Sequence, residues 1–146
     1  VEAGDDKVLV DTSPDLREQC LDNDVKRIDA VLYTHDHADH VHGIDDLRGF
    51  YQLQKRKIPV YGSRASLDVI KRRFDYIFRS MHGYPAICEA NEIRGPFHVG
   101  DLGVLPFEQE HGEITSLGFR FGPVAYSTDL KALLRGGASS SSSATW

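Results

Sequence analysis

His35-Asp36-His37-Ala38-Asp39-His40 is the stretch that decides the fold, because it places three histidines and two aspartates within six positions. Imidazole nitrogens and carboxylate oxygens bind zinc, manganese or iron. On a tight loop, His35 and His37 can point to one side as a pair, while Asp39 and His40 turn toward a neighbouring point. The stretch predicts two adjacent metal sites, and two metals about 3.5–4 Å apart can share a bridging hydroxide as the nucleophile of a hydrolysis.

The surroundings of this stretch argue against an accidental histidine-rich surface tract. Residues 28–33 form an apolar run without clean alternation, which predicts a strand buried on both faces. The histidines follow directly at its carboxyl end, where binding groups tend to gather. A helix is predicted over residues 43–54, so the stretch lies on a loop between two ordered elements.

The rest of the chain predicts a mixture of helices and strands, hence the α+β class. Ser13 and Pro14 predict the start of a helix, with Ser13 as its cap. A longer helix is predicted over residues 66–78. The remaining apolar segments predict strands, which are residues 7–10, 58–61, 97–99, 103–108, 117–121 and 124–127.

Length and composition predict one domain, residues 1–135, in a chain of 146 residues. Residues 136–146 are rich in glycine and serine, which predicts a disordered tail. No apolar run approaches the roughly 18–20 residues of a membrane span. The first residues lack the features of a signal peptide, and Cys20 and Cys88 lie far apart, so the default expectation is a reducing cytoplasm. A net charge of −5 argues against nucleic acid as a partner.

The histidine-rich stretch resembles the H-x-H-x-D-H signature of the metallo-β-lactamase superfamily. Three further motifs of that family follow in the right order. Asp11, after an apolar strand, matches an aspartate that supports the metal loop from outside the ligand set. His111, within Glu108-Gln109-Glu110-His111-Gly112, matches a later ligand, and Asp129 matches an aspartate that bridges two metals. The resemblance covers nearly all of residues 7–130.

This resemblance implies a ligand set and two cofactors. The first site would contain His35, His37 and His111, and the second Asp39, His40 and Asp129. Two divalent metal ions are expected, zinc or manganese, with iron as a further candidate.

Residues 43–48 and 118–126 are most similar to the phosphoribosyl cyclic phosphodiesterase group. The implied activity is metal-dependent hydrolysis of a small phosphodiester, including a cyclic one, through the bridging hydroxide. Asp39, His42 and Arg48 are the candidate catalytic residues, with His42 near the metals and Arg48 at a substrate phosphate. The alternatives are that His42 is a partly exposed structural histidine and that Arg48 is an ordinary surface arginine.

Two departures from the family pattern support alternatives. The family's final histidine should lie downstream of Asp129, yet no histidine follows His111. The strands before the first motif and the second βα half are also missing, so the expected fold is an αββα sandwich truncated at both ends. The alternatives are an incomplete, non-catalytic metal-binding fragment, a lactone or thioester hydrolase, and a tRNA-processing nuclease, against which the acidic charge counts. Exposed apolar edges would favour a homo-oligomer.

Overall fold

The computed structural model describes residues 1–134, so the tail predicted over 136–146 lies outside the described residues. The first sheet has five strands in the order β1 to β5. They are β1 (Glu2–Ala3), β2 (Asp6–Val10), β3 (Ala30–Leu32), β4 (Ile58–Gly62) and β5 (Cys88–Glu92). β1 and β2 are antiparallel, whereas β2 to β5 are parallel. Because all three residues of β3 are buried, the strand predicted to be covered on both faces is confirmed.

The helices pack on one face of this sheet. They are α1 (Leu16–Asp22), α2 (Ala38–Val41), a 3₁₀ helix (Ile44–Asp46), α3 (Leu47–Gln54), α4 (Arg64–Arg73) and α5 (Asp75–Phe78). Their apolar sides meet Val31, Tyr33 and Val60 of the sheet layer in one buried cluster. The buried contacts of this layer fix the segments that precede and follow the histidine-rich loop.

Two sequence predictions about helices are wrong. Ser13 is not the cap of α1: Asp15 stands at that position, and the Ser13 hydroxyl donates to its carboxylate. The helix predicted over residues 66–78 is two helices, because Phe74 leaves the helical conformation with φ −125° and ψ 46°. Phe74 packs against the helix-side core, so a tertiary contact accompanies the break.

The second sheet is antiparallel and covers the other face of the first. Its strands are β6 (Phe97–Val99), β7 (Leu102–His111), β8 (Ile114–Phe121), β9 (Val124–Tyr126) and β10 (Ala132–Leu133). The order is β10-β7-β8-β9, with β6 also paired to β7. Ala30 and Leu32 of β3 point to this side and pack with Val104 and Phe119, whereas Val31 points to the helices.

Residues 1–134 thus form a helix layer, a mixed sheet and an antiparallel sheet, in agreement with the predicted metallo-β-lactamase-like α+β fold. The carboxyl ends of β2, β3 and β7 carry Asp11, the histidine-rich loop and His111 to one place. Within the described residues, no helix has the length and apolar character needed to cross a bilayer.

Candidate metal centre

Five side chains from three parts of the chain form two overlapping groups of potential ligands. The first group is His35, His37 and His111, and the second is His35, His40 and Asp129. Within each group, one ligand atom per residue lies within 4.8 Å of the others. The predicted first site is therefore assembled as a group, and His35 belongs to both.

His35 is the buried centre of these groups. Its side chain is fully buried, and its Nε2 is a buried polar atom without a hydrogen-bond partner in residues 1–134. Burial, followed by the nearby histidines, lowers the pKa of His35 to about 4. A neutral imidazole is therefore favoured, and its uncharged nitrogen can act as a ligand.

A hydrogen-bond relay from Asp11 fixes the tautomer of His35. The Thr34 hydroxyl lies 2.8 Å from Asp11 Oδ2, to which it donates, and 2.8 Å from His35 Nδ1. Because the hydroxyl has only one proton, its oxygen must accept from His35 Nδ1–H. The proton of the neutral ring is then on Nδ1, so the unpartnered Nε2 carries a lone pair directed at the other ligands.

The same carboxylate orients His40. Its Nδ1 lies 2.7 Å from Asp11 Oδ2, and its Nε2 lies 2.8 Å from Asp129 Oδ2. The hydrogen bond with Asp11, opposed by partial burial, raises the pKa of His40 to about 9. Partial burial raises the pKa of Asp129, but the hydrogen bond and charge of His40 outweigh it and leave the pKa below its usual value.

His37 and His111 complete the first group. His37 lies on the loop that follows β3 of the first sheet, and His111 is the last residue of β7 in the second sheet. Nε2 of His111 lies 3.3 Å from Nδ1 of His37, and both ring centroids lie 5.0 Å or less from that of His35. Three imidazole rings converge here, one fully buried and two more accessible. The ligand nitrogens of these rings lie close enough together for one metal ion to be bound between them.

Backbone contacts hold the histidine-rich loop against the end of β2. The Thr12 amide donates to the carbonyl of His40, and the Gly43 amide donates to the carbonyl of Thr12, at 2.8 and 2.9 Å. Asp11 itself has φ 62° and Asp129 has φ 51°, a left-handed conformation that aspartate tolerates better than most residues. Both strained positions carry carboxylates that contact His40.

The arrangement fits a divalent metal of the kind bound by nitrogen and oxygen. Among residues 1–134, the buried Nε2 of His35 has no hydrogen-bond partner, whereas buried polar atoms of a metal-free fold are normally hydrogen-bonded. The donor set of imidazoles and one carboxylate suits zinc, manganese or iron alike. Divalent metal binding is therefore supported by the residues themselves.

Three residues named from the sequence lie outside both groups. Asp39 is exposed, and its Oδ2 is 3.5 Å from Nε2 of His40. The ring of His42 packs against Phe74, with centroids 5.7 Å apart. Arg48 lines a groove between α1 and α3 rather than contacting the ligand groups. The catalytic roles of these residues stay predictions.

Sequence reasoning missed two side chains that support the site. Arg73 of α4 donates to the carbonyl oxygen of Asp36 and lies 3.5 Å from its carboxylate, so it ties α4 to the histidine-rich loop. Gln109, two residues before His111, is fully buried and contacts the segment that carries Asp129. Both contacts span long stretches of sequence, and Gln109 stands between Glu108 and Glu110, so no local pattern marks either residue.

Comparison with known proteins agrees with this geometry. The family model described as a beta-lactamase superfamily domain matches residues 6–135. An octanoyltransferase of Porphyromonas gingivalis is 41% identical over 130 residues, which are 86% of this chain and 26% of that protein. A ribonuclease Z of Bradyrhizobium is 30% identical over 128 residues, 83% of this chain and 42% of that protein.

Among solved structures, a diphosphatase from the PhnP family is similar with a TM-score of 0.81 and 33% identity. The match covers 92% of this chain and 52% of that one. The chain thus spans about half, or less, of the length of these relatives. The family match, the two-sheet fold and the convergent histidines agree, and the chain belongs to the metallo-β-lactamase-fold superfamily.

Proposed function

We propose that this chain carries the metal centre of a metal-dependent hydrolase that binds two divalent ions and cleaves a phosphodiester. The observation that carries the proposal is the buried, unpartnered Nε2 of His35, which two groups of potential ligands share. A structural histidine in a metal-free core would have a polar partner at this atom.

The ligands fall into two sets. His35, His37 and His111 would hold the first ion, and His40 and Asp129 the second, with Asp39 as a further ligand from the same loop. Metal ions in such a centre act as Lewis acids on a phosphoryl oxygen and lower the pKa of water toward neutrality. Asp11 keeps protons on the Nδ1 atoms of His40 and, through Thr34, of His35, so that both Nε2 atoms face the centre.

Phosphorus–oxygen bonds are the proposed target because two different relatives are named for such chemistry, a diphosphatase and a ribonuclease. A small phosphodiester, including a cyclic one, is favoured over RNA by the net charge of −5. The ribonuclease Z relatives make cleavage of precursor tRNA the second candidate. We infer no substrate from the octanoyltransferase, because this chain matches about a quarter of the length of that protein.

The alternative is a non-catalytic role. The first set has three converging histidines, whereas the second combines His40 and Asp129 with the exposed Asp39, which lies 3.5 Å from His40 Nε2. Under this alternative the chain binds metal at the first set and shows no turnover.

The test measures hydrolysis by the chain with added Zn²⁺ or Mn²⁺ on a panel of substrates. The panel holds bis(p-nitrophenyl) phosphate, a ribose cyclic phosphodiester, a lactone, a thioester and precursor tRNA. The proposal expects turnover of the small phosphodiesters, lost together with bound metal in His37→Ala. His98→Ala is the matched control, because His98 is an exposed histidine on β6, outside both groups. Metal binding without turnover of any substrate supports the non-catalytic alternative, and turnover unchanged in His37→Ala contradicts the assigned centre.

A further inference from the structure

The side chain of Gln109 connects β7 to the segment that carries Asp129. Its Nε2 donates to the Ser116 hydroxyl and to the Thr128 carbonyl oxygen, each at 3.1 Å. Its Oε1 accepts from the Ser127 hydroxyl at 2.6 Å. The carboxamide is fully buried, and these contacts use two of its donor hydrogens and its acceptor oxygen.

The connection matters because Asp129 lies between two strand pairings. β9 ends at Tyr126, and the pairing of β10 with β7 begins at Ala132. After Asp129, the Lys131 amide donates to the Glu110 carbonyl, which anchors the downstream side. On the upstream side, the carboxamide of Gln109 contacts both residues that precede Asp129.

The conformation of Asp129 also needs external support. Its backbone has φ 51°, which an L-residue adopts at a cost, and its side chain is about one-third exposed. Its carboxylate nevertheless lies 2.8 Å from Nε2 of His40 and 3.7 Å from Nε2 of His35. A flexible segment would spread this carboxylate over many positions, so something must restrict residues 127–129.

We propose that Gln109 is a positioning residue, which fixes residues 127–129 so that the carboxylate of Asp129 is held beside His35 and His40. The inference rests on the proposed metal centre, and it names a residue that holds Asp129 of the second ligand set in place. Gln109 does not contact the ligand nitrogens itself and acts through Ser127 and Thr128. Loss of a supporting contact of this kind typically weakens metal binding about 10- to 100-fold.

Two variants remove the connection from opposite sides. Gln109→Met keeps the length of the buried side chain and removes all of its hydrogen bonds. Ser127→Ala removes one hydrogen bond from an exposed residue, so it leaves the core intact. Thr115→Ala is the matched control, because Thr115 is an exposed residue of the same β8 strand that does not contact the carboxamide.

Zn²⁺ binding to the metal-free chain is titrated against a chromogenic chelator. Hydrogen exchange of the Lys131 amide, which donates to the Glu110 carbonyl just after Asp129, is followed without metal. We expect Gln109→Met and Ser127→Ala to accelerate this exchange and to weaken the second binding step about tenfold or more, while the first step changes by less than about threefold. Thr115→Ala should leave exchange and both steps near those of the unsubstituted chain.

Three results would overturn the inference. Unchanged exchange and affinity in both variants would show that Gln109 does not position Asp129. An equal loss in both steps, shared by Thr115→Ala, would show only general destabilisation. If the unsubstituted chain binds neither Zn²⁺ nor Mn²⁺, the proposed function fails and the inference with it, whereas intact binding with unaffected variants overturns the inference alone.

Discussion

Asp11 is the residue on which the geometry of the centre depends most. Its carboxylate accepts from the Thr34 amide at 2.7 Å, from the Thr34 hydroxyl at 2.8 Å and from His40 Nδ1 at 2.7 Å. These three donors flank the histidine-rich loop on both sides. One buried carboxylate therefore sets the orientation of two ligands, His35 and His40.

We expect Asp11→Asn to weaken zinc binding about 10- to 100-fold. The amide NH₂ of asparagine would face a hydrogen-bond donor of Thr34 or His40, so that a ligand ring is no longer held in place. Asparagine tolerates the left-handed backbone at this position, so the substitution tests the carboxylate and not the chain conformation. Chelator competition measures the affinity. Asp22→Asn, an exposed carboxylate at the end of α1, is the control. Equal zinc affinity of the two variants would show that Asp11 does not orient the ligands.

At the scale of elements, the turn between α2 and the 3₁₀ helix is packed against the segment after β2. A Cβ atom added at Gly43 would lie 2.0 Å from the Ser13 carbonyl oxygen and 3.1 Å from Leu16 Cβ. The φ of Gly43 is −87°, so close approach, and not backbone conformation, requires glycine here. The contact places the histidine-rich loop beside Asp11 and Thr12.

Gly43→Ala should therefore destabilise the fold by about 2 kcal/mol or more, as overpacking against backbone does. Gly49→Ala is a matched control, since a Cβ there meets nothing within 4 Å. Gly49 lies inside α3, so alanine should stabilise by about 0.5–1 kcal/mol. Urea denaturation measures both. A Gly43→Ala chain as stable as Gly49→Ala would mean that the turn does not pack as described.

Elements with a local signal were predictable from the sequence, and those that depend on distant partners were not. The apolar run of β3 and the ligand spacing after it are local, so the strand and the loop were both identified. β5 was missed because its sequence, Cys88–Glu92, is mostly polar and becomes a strand by pairing with β4. His111 and Asp129 were found through their resemblance to family motifs, whereas Gln109 and Arg73 act through contacts that no spacing reveals.

At the scale of the whole molecule, apolar side chains are exposed on the second sheet. Within residues 1–134, β9 and β10 are the two edge strands of this sheet. Val124 of β9 is 61% exposed and Leu133 of β10 is 62% exposed. Terminal strands with exposed apolar residues favour pairing between chains.

We expect the chain to self-associate in a concentration-dependent manner and the double variant Val124→Lys, Leu133→Lys to shift it toward the monomer, because charged residues on terminal strands oppose pairing. Light scattering coupled to size-exclusion chromatography measures the mass. Leu53→Lys is the control, because Leu53 is a similarly exposed leucine on α3, away from the second sheet. A monomeric unsubstituted chain at all concentrations would contradict this prediction.

The measurement that tests the central claim most directly is the zinc retained by the chain after extensive dialysis, determined by elemental analysis. The account predicts about one tightly held ion per chain, because three histidines plus water suffice for a zinc site. A second ion should bind only at excess zinc, and His37→Ala should retain far less than His98→Ala. A chain that retains neither zinc nor another divalent metal, or a His37→Ala variant that retains as much metal as the unsubstituted chain, would contradict the account.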